Sequence, residues 1–229
     1  MIDLNKSPQK LAKMIDHTNL KPDATLNDIK KLCIEAKAYG FGSVCVNPSN
    51  VHFSYVILED EDIKVCTVIG FPLGANTSKI KFFETKDAIK SGASEIDMVM
   101  NIGALKSGFE LKVKEEIEGV VVAANDNLIK VIIETALLSD DEKIKACEII
   151  KESGADFIKT STGIGYPGAK VEDIQLIKKN VGYSLGIKAS GGIKDLKTTL
   201  EMIKAGATRI GTSSGVQIIE QNRLTKKMQ

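Results

Sequence analysis

The chain has 229 residues, 43% of them hydrophobic, which is enough apolar material for one sizeable core. Its 31 basic and 30 acidic residues leave a formal net charge of +1, so charge makes no case for nucleic acid or for an anionic membrane surface. No uninterrupted apolar run approaches spanning length, and residues 1–8 lack the apolar core of a signal peptide, so a soluble cytoplasmic protein is expected.

Ser7-Pro8 opens a leading helix over about 7–15, with proline at the first helical position. Asp16-His17-Thr18-Asn19-Leu20 then reads as a short strand. Lys21-Pro22-Asp23 turns the chain, and Thr25 caps an amphipathic helix that runs to about Tyr39. From there one unit recurs: a helix ends in glycine, a small residue follows and a strand begins. It stands at Gly40-Phe41-Gly42-Ser43, Ser91-Gly92-Ala93-Ser94, Ser153-Gly154-Ala155-Asp156 and Ala205-Gly206-Ala207-Thr208. Apolar runs at 63–69, 128–133 and 183–187 complete eight strands. Amphipathic helices such as 79–90, 112–124 and 140–152 separate them.

Eight alternating units predict an α/β fold: a single parallel (β/α)8 barrel with a short extra N-terminal helix, spanning 1–229 as one domain. An open doubly wound sheet is the alternative. The charged segment 221–229 reads as the frayed end of a helix.

Polar and glycine-rich chemistry gathers at the C-terminal end of nearly every predicted strand, while the opposite ends hold the Gly-Ala turns. In a barrel that asymmetry marks the active-site face. Two lysines there are unusual. Lys159 lies in Asp156-Phe157-Ile158-Lys159-Thr160-Ser161-Thr162-Gly163, and Lys188 in Leu185-Gly186-Ile187-Lys188-Ala189-Ser190-Gly191-Gly192. Each can simply snorkel to water at a strand end. A pair in matching settings instead points to a carbonyl-capturing amine beside a cation that depresses its pKa. Asp97, inside an apolar strand, is either a buried ion-pair partner or a proton relay beside an imine, and Lys130 on the fifth strand is its expected partner. Asp16, Thr18, Cys45 and Thr162 stand as supporting residues with Lys130. Cys45 reads as core rather than nucleophile, because no histidine pairs with it.

The loops after strands seven and eight carry Gly191, Gly192, Ser213 and Ser214, suited to phosphate through backbone N–H and hydroxyl donors. The alternative is that they merely cap the next helices. Gly163-Ile164-Gly165-Tyr166-Pro167-Gly168 matches GxGxxG in form. Pro167 falls where that fingerprint needs the first helical turn, so it reads as a loop over the site. His17 and His52 are the two histidines and form no ligand cluster, so no metal and no cofactor is expected; His17 reads as structural and His52 as a helix-surface residue. The four cysteines show no CxxC spacing, and a reduced setting follows.

The segments Asp16 to Pro22, Thr67 to Gly74, Glu95 to Asn101, Lys130 to Thr135, Phe157 to Gly163, Lys188 to Ile193 and Gly211 to Ser214 resemble the deoxyribose-phosphate aldolase family, in order and over about residues 11–216. The resemblance implies a class I aldolase that reversibly cleaves 2-deoxy-D-ribose 5-phosphate to acetaldehyde and D-glyceraldehyde 3-phosphate. It implies Lys159 as the Schiff-base lysine, Lys188 as the lysine that perturbs it and joins proton transfer, and Asp97 as the acid/base carboxylate. It places phosphate contacts at Gly163, Gly191, Gly192, Ser213 and Ser214. Three departures stand out: Ile164 and Lys194 where relatives carry Lys and Arg, and an ending, Lys226-Lys227-Met228-Gln229, without the tyrosine tail of some relatives. The expected partner is a small sugar phosphate, with neither nucleic acid nor membrane. Relatives often dimerise, so a homodimer is the assembly to expect. A sugar-phosphate isomerase or synthase, or a phosphosugar-binding barrel without catalysis, is the rival.

Overall fold

A computed structural model describes residues 7–227 of the chain. Eight strands, β1 (Ile15–Asn19), β2 (Ser43–Val46), β3 (Lys64–Ile69), β4 (Glu95–Val99), β5 (Leu128–Ile132), β6 (Phe157–Lys159), β7 (Gly186–Ser190) and β8 (Arg209–Thr212), pair in chain order. All pairs are parallel, and β8 closes on β1 through Ile15↔Ile210 and Asp16↔Gly211. The fold is therefore the (β/α)8 barrel expected from the alternating pattern, not an open sheet.

Helices α2 (Leu26–Tyr39), α3 (Val51–Leu58), α4 (Ser78–Lys90), α6 (Glu110–Ala124), α7 (Asp140–Glu152), α8 (Val171–Val181), α9 (Leu196–Ala205) and α10 (Gly215–Lys227) wrap the barrel, with a short α5 (Ile102–Lys106) before α6. Local chemistry sets several of their ends. Thr25 and Asp28 form a capping box on α2, and Ser139 and Glu142 form one on α7. Gly40 ends α2 in the left-handed conformation, φ 70°.

The leading end of the chain differs from expectation. The leading helix, α1 (Pro8–Ala12), has five residues rather than filling 7–15, because Ile15 is already paired in the barrel. Ser7 makes no side-chain cap bond there. At the other end the expected helix is present, since α10 continues through 221–227; Met228 and Gln229 lie outside the described residues. Among the described residues no helix is long and apolar enough to cross a membrane.

Strand residues alternate between two environments. Ile96, Met98, Ile129, Val131, Ile158, Ile187, Ala189 and Ile210 face the helices and build the main core. The residues between them point into the barrel, where a small apolar cluster of Cys45, Cys66 and Val68 lies apart from that core. Barrel interiors of this architecture are usually filled by branched apolar side chains. Here the rest of the layer is ionic.

Candidate active site

The ionic layer is built from inward residues of six strands, with two of them, Glu95 and Asp97, on β4. Lys159 ends β6 and stands opposite Lys188 of β7 in the strand register. Both reach the same oxygen of Asp97: Lys159 Nζ lies 2.8 Å and Lys188 Nζ 2.7 Å from Oδ2. Asp97 is itself opposite Lys130 of β5, whose Nζ is 3.0 Å from Oδ1 and 2.5 Å from Glu95 Oε2. Cys66 Sγ lies 3.2 Å from Asp97 Oδ1. Below this level Asp16 pairs with both Lys188 and Arg209. Arg209 also donates to Glu95 Oε1 at 3.3 Å and to Ser43 Oγ at 3.2 Å.

Every member is deeply buried except Arg209, which keeps a small exposed fraction. Burial would push the Asp97 carboxyl up, but Lys130, Lys159 and Lys188 outweigh it and hold the group well below the usual carboxylate range. Asp16 is held down in the same way against burial, by Lys188 and Arg209. Burial pulls Lys188 down, yet Asp16 and Asp97 raise it well above the ordinary lysine value, so it remains an ammonium. The layer thus contains four cations (Lys130, Lys159, Lys188, Arg209) and three carboxylates (Asp16, Glu95, Asp97). Lys159 has no carboxylate of its own: its one ion pair among the described residues is to Asp97, shared with two other lysines.

Lys159 is also the lysine of this layer that opens on solvent. It lines a cleft of about 990 Å³ at the C-terminal mouth of the barrel. Thr18, Thr162, Gly163, Gly191, Gly192, Ser213 and Ser214 line the same cleft, so each phosphate-loop residue read from sequence arrives there. Gly163, Gly191 and Gly192 have φ of 80°, 87° and 77°, a region that side chains avoid. The β6–α8 loop is stitched to the β7 loop by the Ala169 N–H, which donates to the Ser190 and Gly191 carbonyls at 3.0 and 3.2 Å. Ser214 precedes the first turn of α10, where backbone N–H groups favour an anion.

The supporting residues divide. Lys130 and Asp16 belong to the ionic layer. Thr18 is half-buried at the mouth and donates to the Asp16 carbonyl at 2.9 Å. Thr162 donates to the Glu134 carboxylate at 2.5 Å. Cys45 is fully buried against Cys66 and Val68; a hydrogen bond with Cys66 draws its thiol below the ordinary value although burial opposes this. Donor atoms of Cys45, Cys66 and Asp97 lie within 4.8 Å of one another. Lys130 Nζ stands 3.6 Å from Cys66 Sγ, so an ammonium already faces the space a cation would need. His17 Nε2 meets Glu35 Oε2 at 2.8 Å, both on the wall of the cleft, and His52 is exposed on α3.

Sequence reasoning missed Glu95 and Arg209 as members of the layer. The signal was present in the two-residue period: Glu95 shares a face with Asp97, and Arg209 brackets the outward Ile210 with Gly211. It also missed Lys21 and Lys31, which join Lys194 as exposed cations on the cleft wall.

A parallel barrel with a solvent-facing amine, a carboxylate shared beneath it and glycine-rich loops beside it has the parts of an enzyme for phosphorylated carbonyl compounds. The model of the DeoC/LacD family aldolases matches residues 10–221. A deoxyribose-phosphate aldolase from Caldanaerobacter subterraneus subsp. tengcongensis is 57% identical over 224 residues, 96% of this chain and 97% of its own. One from Clostridium tetani is 58% identical over 215 residues, 93% of this chain and all of its own length. The solved tetrameric deoxyribose phosphate aldolase from Aeropyrum pernix superposes with a TM-score of 0.88 at 34% identity, covering 95% of this chain and 92% of that one. The chain belongs to the DeoC/LacD family of aldolases.

Proposed function

We propose that this chain is a deoxyribose-phosphate aldolase that works through a Schiff base on Lys159. The single observation that carries the reading is the shared oxygen: Lys159 and Lys188 both bond Asp97 Oδ2 under a cleft with phosphate-suited loops. Lys159, as the free amine, adds to C1 of the open-chain 2-deoxy-D-ribose 5-phosphate and, with loss of water, forms a protonated imine. The C3 hydroxyl gives its proton toward Asp97, and the C2–C3 electron pair moves into the imine. D-Glyceraldehyde 3-phosphate leaves with C3 to C5. The enamine keeps C1 and C2, is protonated at C2, and is hydrolysed to acetaldehyde and free Lys159.

Asp97 suits this role as a conduit. Three cations keep it ionised, so it passes protons on rather than storing them. Lys188 supplies the fixed positive charge beside the reacting amine. Gly163, Gly191, Gly192, Ser213 and Ser214 hold the phosphate end, which fixes the reacting carbons over Lys159. Ile164 and Lys194 stand on the same wall, and Lys194, Lys21 and Lys31 supply charge there. A cytoplasmic setting and assembly with copies of itself belong to this proposal; the four free cysteines suit a reducing setting, and the Aeropyrum pernix relative is a tetramer.

Borohydride added with acetaldehyde is expected to leave an ethyl group on Lys159, located by peptide mass mapping. Modification at another lysine, or none, would sink the imine assignment and favour a sugar-phosphate enzyme without covalent chemistry.

A further inference from the structure

Glu134 follows β5 at the same rim. The reaction above makes no use of it. We propose that Glu134 is a positioning residue that shapes the phosphate-binding edge of the β6–α8 loop through Thr162. This rests on the aldolase reading, since it concerns how the sugar phosphate is held.

Three observations carry it. The first is strain. Glu134 has φ 49° and ψ 69°, a left-handed conformation uncommon for a residue with a Cβ, at a site that is 2% exposed. The second is connectivity. Glu134 Oε2 accepts from Thr162 N–H at 3.1 Å and from Thr162 Oγ1–H at 2.5 Å. Thr162 Oγ1 in turn accepts from Ile164 N–H at 3.2 Å. One carboxylate oxygen therefore ties down the residue before Gly163 directly, and the residue after it through the hydroxyl. Gly163, between them, lines the cleft with φ 80°. No regular secondary structure runs through this loop between β6 and α8, so such bonds must set its shape.

The third is incompleteness. Glu134 Oε1 is buried and has no hydrogen-bond partner among the described residues. A buried carboxylate with one idle oxygen is a costly way to anchor a loop that an amide could anchor. Its charge strengthens the two bonds it accepts and locks the Thr162 hydroxyl as a donor toward it. That hydroxyl is then left to accept from Ile164. A glutamine could offer its NH2 to Thr162 instead, and the order of the chain Ile164, Thr162, 134 would be lost.

The test uses the full chain and two substrates, 2-deoxyribose 5-phosphate and unphosphorylated 2-deoxyribose. The readout is the ratio of kcat/KM between them. In Glu134→Gln the ratio should fall roughly tenfold, mostly through KM for the phosphorylated sugar, with borohydride trapping at Lys159 retained. Thr162→Val should lower the ratio to a similar extent, and the double variant should fall no further than the worse single, because both cut one chain. An unchanged ratio, or additive losses, overturns the proposal. Glu134→Ala is a harsher variant; if it does not fold, the near-isosteric Gln decides. Wild-type protein that neither traps acetaldehyde nor prefers the phosphorylated sugar overturns the aldolase reading itself, which separates that failure from failure of Glu134.

Discussion

Asp97 carries more of the site than any other single residue. It is the carboxylate that three lysines share, and it is wholly buried with them. Asp97→Asn keeps the shape and removes the charge, which leaves Lys130, Lys159 and Lys188 facing one another. Turnover is expected to fall by at least about 10²-fold, and stability by roughly 3–5 kcal/mol, the usual cost of breaking a buried pair. Steady-state rates and urea unfolding on the same preparation check both. An unchanged rate would show that the proton leaves by another route. Small residues matter beside it: a Cβ on Gly211 would stand 3.0 Å from Lys188 Cε, so glycine at that inward position gives the second lysine its room. The Asp97–Lys130 partnership was readable from two charged residues on apolar strands. That one carboxylate serves three lysines was not, because Lys188 and Asp97 lie 91 residues apart and meet only across a closed barrel.

Among the elements, the β3–α4 connection shows where pattern reading inverts. The segment 79–90 reads as an amphipathic helix, a pattern that says nothing of a buried lysine. In α4 Ile80 is 45% exposed while Lys81 is completely buried. Lys81 Nζ donates to the Gly74 carbonyl at 2.9 Å, to the Val99 carbonyl at 2.8 Å and to Glu116 Oε1 at 2.5 Å. One side chain thereby ties the 70–74 loop to the end of β4 and to α6. Gly70 is part of the same fit, since a Cβ there would come within 2.8 Å of Lys81 Cε. Phe71 of that loop packs on the Cys45, Cys66 and Val68 cluster under the mouth, so the clamp supports a wall of the site. Lys81→Met strands the Glu116 carboxylate and should cost roughly 3–5 kcal/mol, with part recovered when Glu116 is also made apolar. Urea midpoints of the two single variants and the double variant test it. A loss under about 1 kcal/mol would make Lys81 an ordinary solvated lysine.

For the molecule as a whole, the ionic layer links opposite sides of the barrel. Arg209 on β8 reaches Asp16 on β1, Ser43 on β2 and Glu95 on β4. Asp16 and Asp97 are both held well below the ordinary carboxylate value. In the window between the folded and unfolded values, the unfolded chain binds more protons. Stability is therefore full above about pH 4 and lost as pH falls below it. Urea midpoints from pH 7 to pH 3 should show that loss. In Arg209→Met the decline should be shallower, because a charge that lowers Asp16 is gone. A wild-type profile flat down to pH 3 would contradict the linkage.

Length and the alternation of apolar runs with glycine-stopped helices were enough to favour the barrel over an open sheet, and the pairing of β8 with β1 closed it. Each strand needs only a local two-faced pattern and each helix a local cap, and parallel strands joined by short crossovers leave few other closures. The rim residues were legible for the same reason, because strand ends are fixed by local order. Only the tertiary structure decided which charges meet. Glu95 and Arg209 became floor residues, Lys81 a buried clamp and Glu134 a strained loop anchor because ion pairs depend on through-space distance and desolvation, which sequence spacing does not encode.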